Sequence, residues 1–363
     1  MEKQKLYENQ IQLTSQFRFC GNAFRIDTYR GCSFGCKYCF ANNRAGKNFE
    51  GKVHYQLGNN KIIRDYFYKI DDRKKYADIN VELMRHYVPL HLGGMCDPFQ
   101  HREWQYERTF YLLKLSKRFN YPIIISTKTA HLPDKYWDIL DPKLHTFQIS
   151  LISYDDVLIN KLEANTPKPA DRINFIKELK NKGFWVSLRL QPLVSLPQAK
   201  KLLNELAQHI DYCTIEHLKL PKFNDKVWEP VLNALDFDYK ANMRSTKDKP
   251  EFELNTLIKF NNINELKHLY PSVKFGCGDN DLHEYSDSLN CCGVDTMPPA
   301  FNNWLKYNSM VIKMTGNRDN WYPKSNCSGS FNSASVVKGF NFKDYVDIYY
   351  IKHYDDDDQQ KLF

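Results

Sequence analysis

No run of apolar residues approaches the about 20 that cross a bilayer as a helix, so no membrane-spanning helix and no membrane partner are expected. The stretch Met1–Gln16 is polar and lacks the apolar core of a secretion signal, which places the expected location in the cytosol. No internal repeat recurs at a useful period, so the chain is not read as a stacked array. Wholesale disorder is also excluded, because charged residues of both signs make up 26% of the chain beside 42% hydrophobic residues. At 363 residues the chain is long enough for one large domain with an appendage. It carries ten cysteines, and in a reducing compartment their clustering points to metal rather than to disulfides. The net charge is +8 even though Asp355–Asp358 subtracts four, an excess that suits a polyanionic partner or a solvated basic surface.

The densest feature is Gly31-Cys32-Ser33-Phe34-Gly35-Cys36-Lys37-Tyr38-Cys39-Phe40-Ala41, with cysteines spaced C-x3-C-x2-C. Thiolates are the soft ligands that iron–sulfur clusters take. Three of them hold three corners of a [4Fe–4S] cube and leave the fourth iron open, the condition for a catalytic rather than a closed structural centre. Gly31 and Gly35 allow the backbone to wrap tightly and aim N–H groups at the sulfurs. The bland alternatives are a zinc knuckle completed by a distant ligand, or three buried core cysteines.

Strand-like stretches alternate with helical ones. Phe24–Tyr29, Val88–Leu92, Ile123–Ile125, His145–Leu151, Trp185–Leu190 and Thr214–Leu218 read as strands, with helix-periodic segments between them. The expected class is α/β, an open partial (β/α)6 barrel with a C-terminal accessory region; a doubly wound sheet is the competing layout. Asp97, Lys128, Ser150 and Gln191 all fall just after predicted strands, where barrel side chains converge on one rim. The organisation expected is a lead-in at 1–22, the barrel at 23–220, the accessory region at 221–350 and an acidic tail at 351–363.

The cysteine spacing resembles the signature of the radical S-adenosylmethionine (radical SAM) enzymes. Asn22–Ala41, Gly93–Pro98, Ser126-Thr127-Lys128, and Glu163-Ala164-Asn165-Thr166-Pro167 with Arg172 look like successive landmarks of the spore photoproduct lyase-like branch. The resemblance covers roughly residues 20–220 and implies a [4Fe–4S] cluster on Cys32, Cys36 and Cys39. It also implies S-adenosylmethionine (SAM) bound at the open iron and an electron donor such as a flavodoxin or ferredoxin. Carried over by position, it names Asp97, Lys128, Ser150 and Arg172 as SAM contacts. Lys128 and Arg172 suit the methionine carboxylate, and Asp97 suits ribose hydroxyls or the ammonium. It further points to Cys96 as a hydrogen-atom donor. That thiol is adjacent to Asp97, and the position nearest the lyase's own cysteine is a glycine, a departure that bears on thymine-dimer reversal itself.

Beyond Pro221 the barrel pattern stops. Cys277, Cys291, Cys292 and Cys327 sit among Gly and Asn and are read as a second metal or iron–sulfur site, with reduced structural thiols as the alternative. The tail holds Asp355–Asp358, a solvated tether, followed by Gln359-Gln360-Lys361-Leu362-Phe363. That Q-x-x-L-F pattern resembles peptides that dock on the bacterial sliding DNA clamp, with Gln359, Leu362 and Phe363 as contacts. The expected function is radical chemistry on a nucleobase in DNA, as a repair lyase or base-modifying enzyme. The alternatives are radical SAM modification of tRNA or a peptide, and a zinc-stabilised nucleic-acid-binding protein.

Overall fold

The structure is a computed structural model that describes residues 6–14, 20–41, 55–74, 76, 78–221, 229, 231–233, 235, 238–245, 251–279 and 281–307. Cys327, the acidic tail and the peptide with Gln359, Leu362 and Phe363 lie outside the described residues.

Eight strands lie side by side in chain order in one sheet. They are β1 (Ile11–Leu13), β2 (Phe24–Ile26), β3 (Leu90–Leu92), β4 (Ile123–Thr127), β5 (His145–Ser150), β6 (Val186–Leu193), β7 (Tyr212–His217) and β8 (Phe275–Cys277). The first pair is antiparallel, and β2 through β8 are parallel. A doubly wound sheet reverses its strand order at a switch point. This sheet has no reversal, so it is the singly wound, barrel-like layout with its crossovers on one side. The six predicted strands are all present. A seventh parallel strand, β8, comes from the segment read as accessory region; its three residues include Gly276 in a Gly/Cys-rich stretch, too short for any periodicity to register.

The crossovers carry helices where apolar spacing and caps agree. Asn59 caps Asn60–Tyr68 by accepting from the Lys61 N–H, and Ser195 caps Leu196–Leu206 by accepting from the Gln198 N–H. Pro169 occupies the first turn of the helix Pro169–Asn181, and Gly183 follows its end at φ 84°. Thr256–Leu269 makes the crossover from β7 to β8. Between them the chain adds a small antiparallel sheet of Lys219–Pro221, Met243–Ser245 and Glu251–Leu254.

The two-residue period of the strands divides the sheet into chemically different faces. Phe24, Ile26, Leu90, Leu92, Ile123, Ile125, Phe147, Ile149, Leu188 and Leu190 are buried on the face toward the helices. Phe147 there meets the rings of Phe175 and Phe184 edge-on at 6.2 and 5.3 Å. Each such buried side chain contributes about 1.5–3 kcal/mol relative to exposure. The alternate positions Arg25, His91, Ser126, Gln148 and Arg189 project to the other face, the barrel lumen.

Residues 288–305 pack across the lumen near the starts of the strands. Gln148 Nε2 donates to the Cys292 carbonyl at 3.4 Å, and Thr146 Oγ1 lies 3.4 Å from Met297 Sδ. A Cβ at Gly276 would stand 2.1 Å from the Cys291 carbonyl oxygen, so glycine is what lets this segment lie against β8.

Candidate active site

The cysteine loop leaves the sheet after β2, on the rim where the parallel strands end. Gly31 and Gly35 adopt φ of 81° and 61°, so the turns around Cys32 and Cys36 use the left-handed region that glycine enters freely. The loop is fastened from three sides. Ser33 N donates to Gln100 Oε1 at 2.8 Å, Gln100 Nε2 donates to the Gly31 carbonyl at 3.0 Å, and Lys37 N donates to the Leu162 carbonyl at 3.0 Å. Phe34 packs edge-on against His101, whose Nε2 lies 3.1 Å from the Asn165 carbonyl.

Cys36 is buried, Cys32 and Cys39 are half-buried, and none is in a disulfide. Burial pushes the Cys32 thiol up to about 12, with the Asp97 carboxylate adding to the rise, while backbone N–H groups of Asp97 and Phe34 oppose it. Burial likewise raises Cys36, against the pull of the Lys128 ammonium. Among the described residues, no group of three His, Cys, Asp or Glu is gathered tightly enough for a single metal ion. The three thiols influence one another electrostatically and are the donor type that iron–sulfur clusters take, and backbone N–H groups reach the Cys32 sulfur. A soft metal centre removes the protons that burial otherwise retains.

Beside Cys36 stands a buried ionic cluster centred on Glu163. Its Oε1 accepts from Lys128 Nζ at 3.0 Å and from the Tyr38 hydroxyl, and Oε2 lies 2.8 Å from Arg172 Nη1. Burial opposes ionisation of Glu163, yet Lys128 and Arg172 outweigh it and hold the carboxyl down at about 2. Lys128 Nζ also lies 3.0 Å from the Tyr38 hydroxyl and remains partly exposed.

The four residues read as cofactor contacts therefore take different stations. Lys128 reaches the rim beside Cys36. Arg172 is wholly buried; its guanidinium is spent on Glu163, the Ser150 carbonyl (2.9 Å), the Pro167 carbonyl (3.0 Å) and Thr166 Oγ1 (3.1 Å), so it acts on the site through Glu163 and Ser150. Ser150 ends β5, half-buried, with its carbonyl held by that guanidinium. Asp97 is buried and spends both oxygens internally, Oδ1 on Phe99 N and Thr127 Oγ1 at 2.9 and 2.8 Å and Oδ2 on Lys128 N at 2.6 Å. It clamps the end of β4 to the loop after β3. Cys96 packs with Tyr29, Leu57 and Cys32 beneath the cluster loop, and its Sγ donates to the Tyr29 carbonyl at 3.1 Å.

The cysteines read as a second metal set are not brought together. Gly276 faces the lumen and the Cys291 carbonyl, so strand alternation turns Cys277 to the opposite face, beside Cys213. Cys327 lies outside the described residues. What gathers instead is Cys291 and Cys292, with sulfurs 3.5 Å apart, and Cys20 in hydrogen-bonding reach of Cys292.

In the lumen, Arg189 Nη1 donates to Ser126 Oγ and Gln148 Oε1 at 2.8 and 2.7 Å, and its Nε donates to Gln191 Oε1 at 2.8 Å. Ser126 Oγ lies 2.7 Å from His91 Nε2, and Asn22 Nδ2 donates to Gln148 Oε1 at 3.1 Å. Burial holds the His91 imidazole well below its ordinary value, with Arg189 and Arg25 adding to the effect. Of these lumen residues the sequence pointed to Gln191 after a strand and to Asn22 and Ser126 within longer landmarks, but not to His91, Gln148 or Arg189. The signal was there: a polar residue between two apolar ones in Leu90-His91-Leu92, Phe147-Gln148-Ile149 and Leu188-Arg189-Leu190.

Residues 26–195 match the family model described as the radical SAM superfamily. Among solved structures, a cysteine-to-serine variant of spore photoproduct lyase is similar at a TM-score of 0.53 and 14% identity, over 73% of this chain and 78% of that one. A tyrosine-to-phenylalanine variant of the same lyase gives 0.52 and 14%, over 75% and 79%. A third variant, with bound AdoMet and dinucleoside spore photoproduct, gives 0.50 and 14%, over 71% and 78%. At this identity the likeness is one of fold. No curated protein sequence matches the chain.

Proposed function

With residues 26–195 matching the radical SAM family model, we propose that this chain is a radical SAM enzyme acting on a nucleobase in DNA, in repair or modification of the spore photoproduct lyase kind. The observation that carries the reading is the glycine-hinged loop of Cys32, Cys36 and Cys39 on the C-terminal rim of a singly wound parallel sheet. When bound, the cluster and SAM would supply radical chemistry for hydrogen-atom abstraction from an unactivated carbon.

The chain's own residues would do the binding and orienting. Cys32, Cys36 and Cys39 would hold the cluster. Lys128, the partly exposed cation of the Glu163 cluster, would meet the methionine carboxylate as a point charge. Arg172 would hold Glu163 and the Ser150 carbonyl in place beneath it. Asp97 would set the rim by tying Thr127 and Lys128 N to the loop after β3. Cys96 keeps its proton in a buried setting, as a hydrogen-atom donor must, although its Sγ is directed to the Tyr29 carbonyl.

The DNA assignment is supported by the net charge of +8 and by the fold likeness to a lyase seen with a dinucleoside photoproduct. The Gln359-Gln360-Lys361-Leu362-Phe363 peptide supports a sliding clamp as partner. An electron donor of the flavodoxin or ferredoxin type would supply the reducing electron.

The test is anaerobic reconstitution, reduction, and measurement of 5′-deoxyadenosine formed from SAM with irradiated DNA, undamaged DNA or no DNA. Stimulation by DNA is expected. Cleavage indifferent to DNA moves the substrate to tRNA or a peptide, and a colourless protein holding zinc without sulfide removes the enzymatic reading.

A further inference from the structure

Among the described residues, the lumen holds a cation, Arg189, that has no counter-ion. Arg189 stands on β6 opposite Ser150, one layer inside the rim that carries the cysteine loop. Its guanidinium has five N–H donors. Two on Nη1 go to Ser126 Oγ and Gln148 Oε1, and those of Nε and one from Nη2 go to Gln191 Oε1. Every one of these acceptors is neutral. Arg189 makes no ion pair among the described residues, and both it and Gln191 remain partly exposed.

Among the described residues, acids on the neighbouring strands and loops have partners other than Arg189. Glu216 on β7 pairs with Lys219 at 2.6 Å, Asp97 is committed to Phe99 N, Thr127 and Lys128 N, and Asp27 accepts from Met95 N at 2.9 Å. A second guanidinium, Arg25 on β2, lies on the same face; its Nη2 donates to Gln12 at 2.7 Å and its Nε is 3.9 Å from Asp27. His91 stands between the two, neutral, and adds no negative charge. A guanidinium inside a barrel, held rigid by neutral acceptors and reached by solvent, is organised to receive an anion from outside the chain.

We propose that Arg189, with Arg25 across His91, is the anion-binding element of the lumen and takes the phosphodiester that joins the target nucleoside to its neighbour. The naming of the anion rests on the DNA reading above; the existence of the site does not. A phosphodiester fits because it is singly charged, presents two oxygens to a planar fork, and travels with a base that has been unstacked to reach the rim. Gln191, bonded to the same edge of the guanidinium, would yield its place to the phosphate oxygens.

The test uses the reconstituted protein with SAM and two probes, thymidylyl-thymidine and its uncharged methylphosphonate counterpart, titrated calorimetrically. The wild type is expected to prefer the charged probe. Arg189→Gln should weaken that probe about tenfold to a hundredfold and bring the two affinities together. Arg189→Lys, which keeps the charge and loses the fork, should retain part of the preference. It also carries the test should Arg189→Gln lose its cluster absorbance or melting transition. A preference unchanged by either substitution overturns the proposal. If the wild type binds neither dinucleoside, inorganic phosphate is the next probe. Phosphate binding lost in Arg189→Gln keeps the anion site and discards DNA, while no Arg189-dependent binding of any probe discards the site.

Discussion

Glu163 Oε2 lies 2.8 Å from Arg172 Nη1, and neither side chain has any exposed surface. A buried pair of this kind is not an economical source of stability, because desolvation consumes most of its attraction, but removing one partner strands the other charge. Here the carboxylate serves two cations, Arg172 below and Lys128 at the rim. The pair links the buried core to Lys128 at the rim.

Glu163→Gln should therefore destabilise the protein by about 3–5 kcal/mol, because Arg172 keeps its charge in a fully buried site without a counter-ion. Denaturant unfolding of the holoprotein measures it. A change below about 1 kcal/mol, the usual worth of an exposed pair, would contradict the central role given to Glu163.

Single Ala substitutions of Cys32, Cys36 or Cys39 should each abolish the cluster, read as loss of iron, sulfide and visible absorbance. Cys96→Ala should keep all three, because that thiol hydrogen-bonds to the Tyr29 carbonyl and packs beside Cys32 rather than joining the ligand set. Loss of iron in Cys96→Ala alone would reverse the assignment.

His145 makes acid a specific stress. Burial lowers it from 6.5 to about 4, with its Nδ1 accepting from Asp141 N at 2.9 Å and its Nε2 2.9 Å from Ser116 Oγ. The unfolded chain takes up a proton on descending through 6.5, whereas the folded one waits until about 4. The neutral-histidine contribution is thus complete above 6.5 and drains as pH falls toward 4, by about 3 kcal/mol in all. His145→Gln should flatten this part of the stability profile between pH 7 and 4.5. A profile as steep as the wild type's would assign the acid loss to other groups.

Deleting Gln359–Phe363 should leave SAM cleavage intact and remove affinity for the bacterial sliding clamp, as measured by surface plasmon resonance. Equal clamp affinity with and without the peptide would dispose of the docking role.

Much of this molecule was legible in one dimension because its information is local. The C-x3-C-x2-C spacing and its glycines put the proposed cluster ligands in eleven consecutive residues, and Gly31 and Gly35 take positive φ beside them. The six strands from Phe24 to His217 announced themselves as short apolar runs between helix-periodic segments. Lys128 and Ser150, placed just after strands β4 and at the end of β5, fell on the rim for the same reason.

What only the tertiary structure decided depends on which side of a strand a residue faces and what meets it from far along the chain. Cys277 and Cys291 look like neighbours in composition, but one residue of alternation at Gly276 sends them to opposite faces. Arg172 looks like a cofactor ligand by type, and burial spends its fork on Glu163 and Ser150. β8 is too short for its pattern to show and exists because Thr256–Leu269 returns the chain to the open edge of β7. The polar lumen of Arg25, His91, Ser126, Gln148 and Arg189 is assembled from five strands that the sequence keeps far apart. Spacing within a segment can be read directly, but the convergence of segments is set by burial and pairing over the whole sheet.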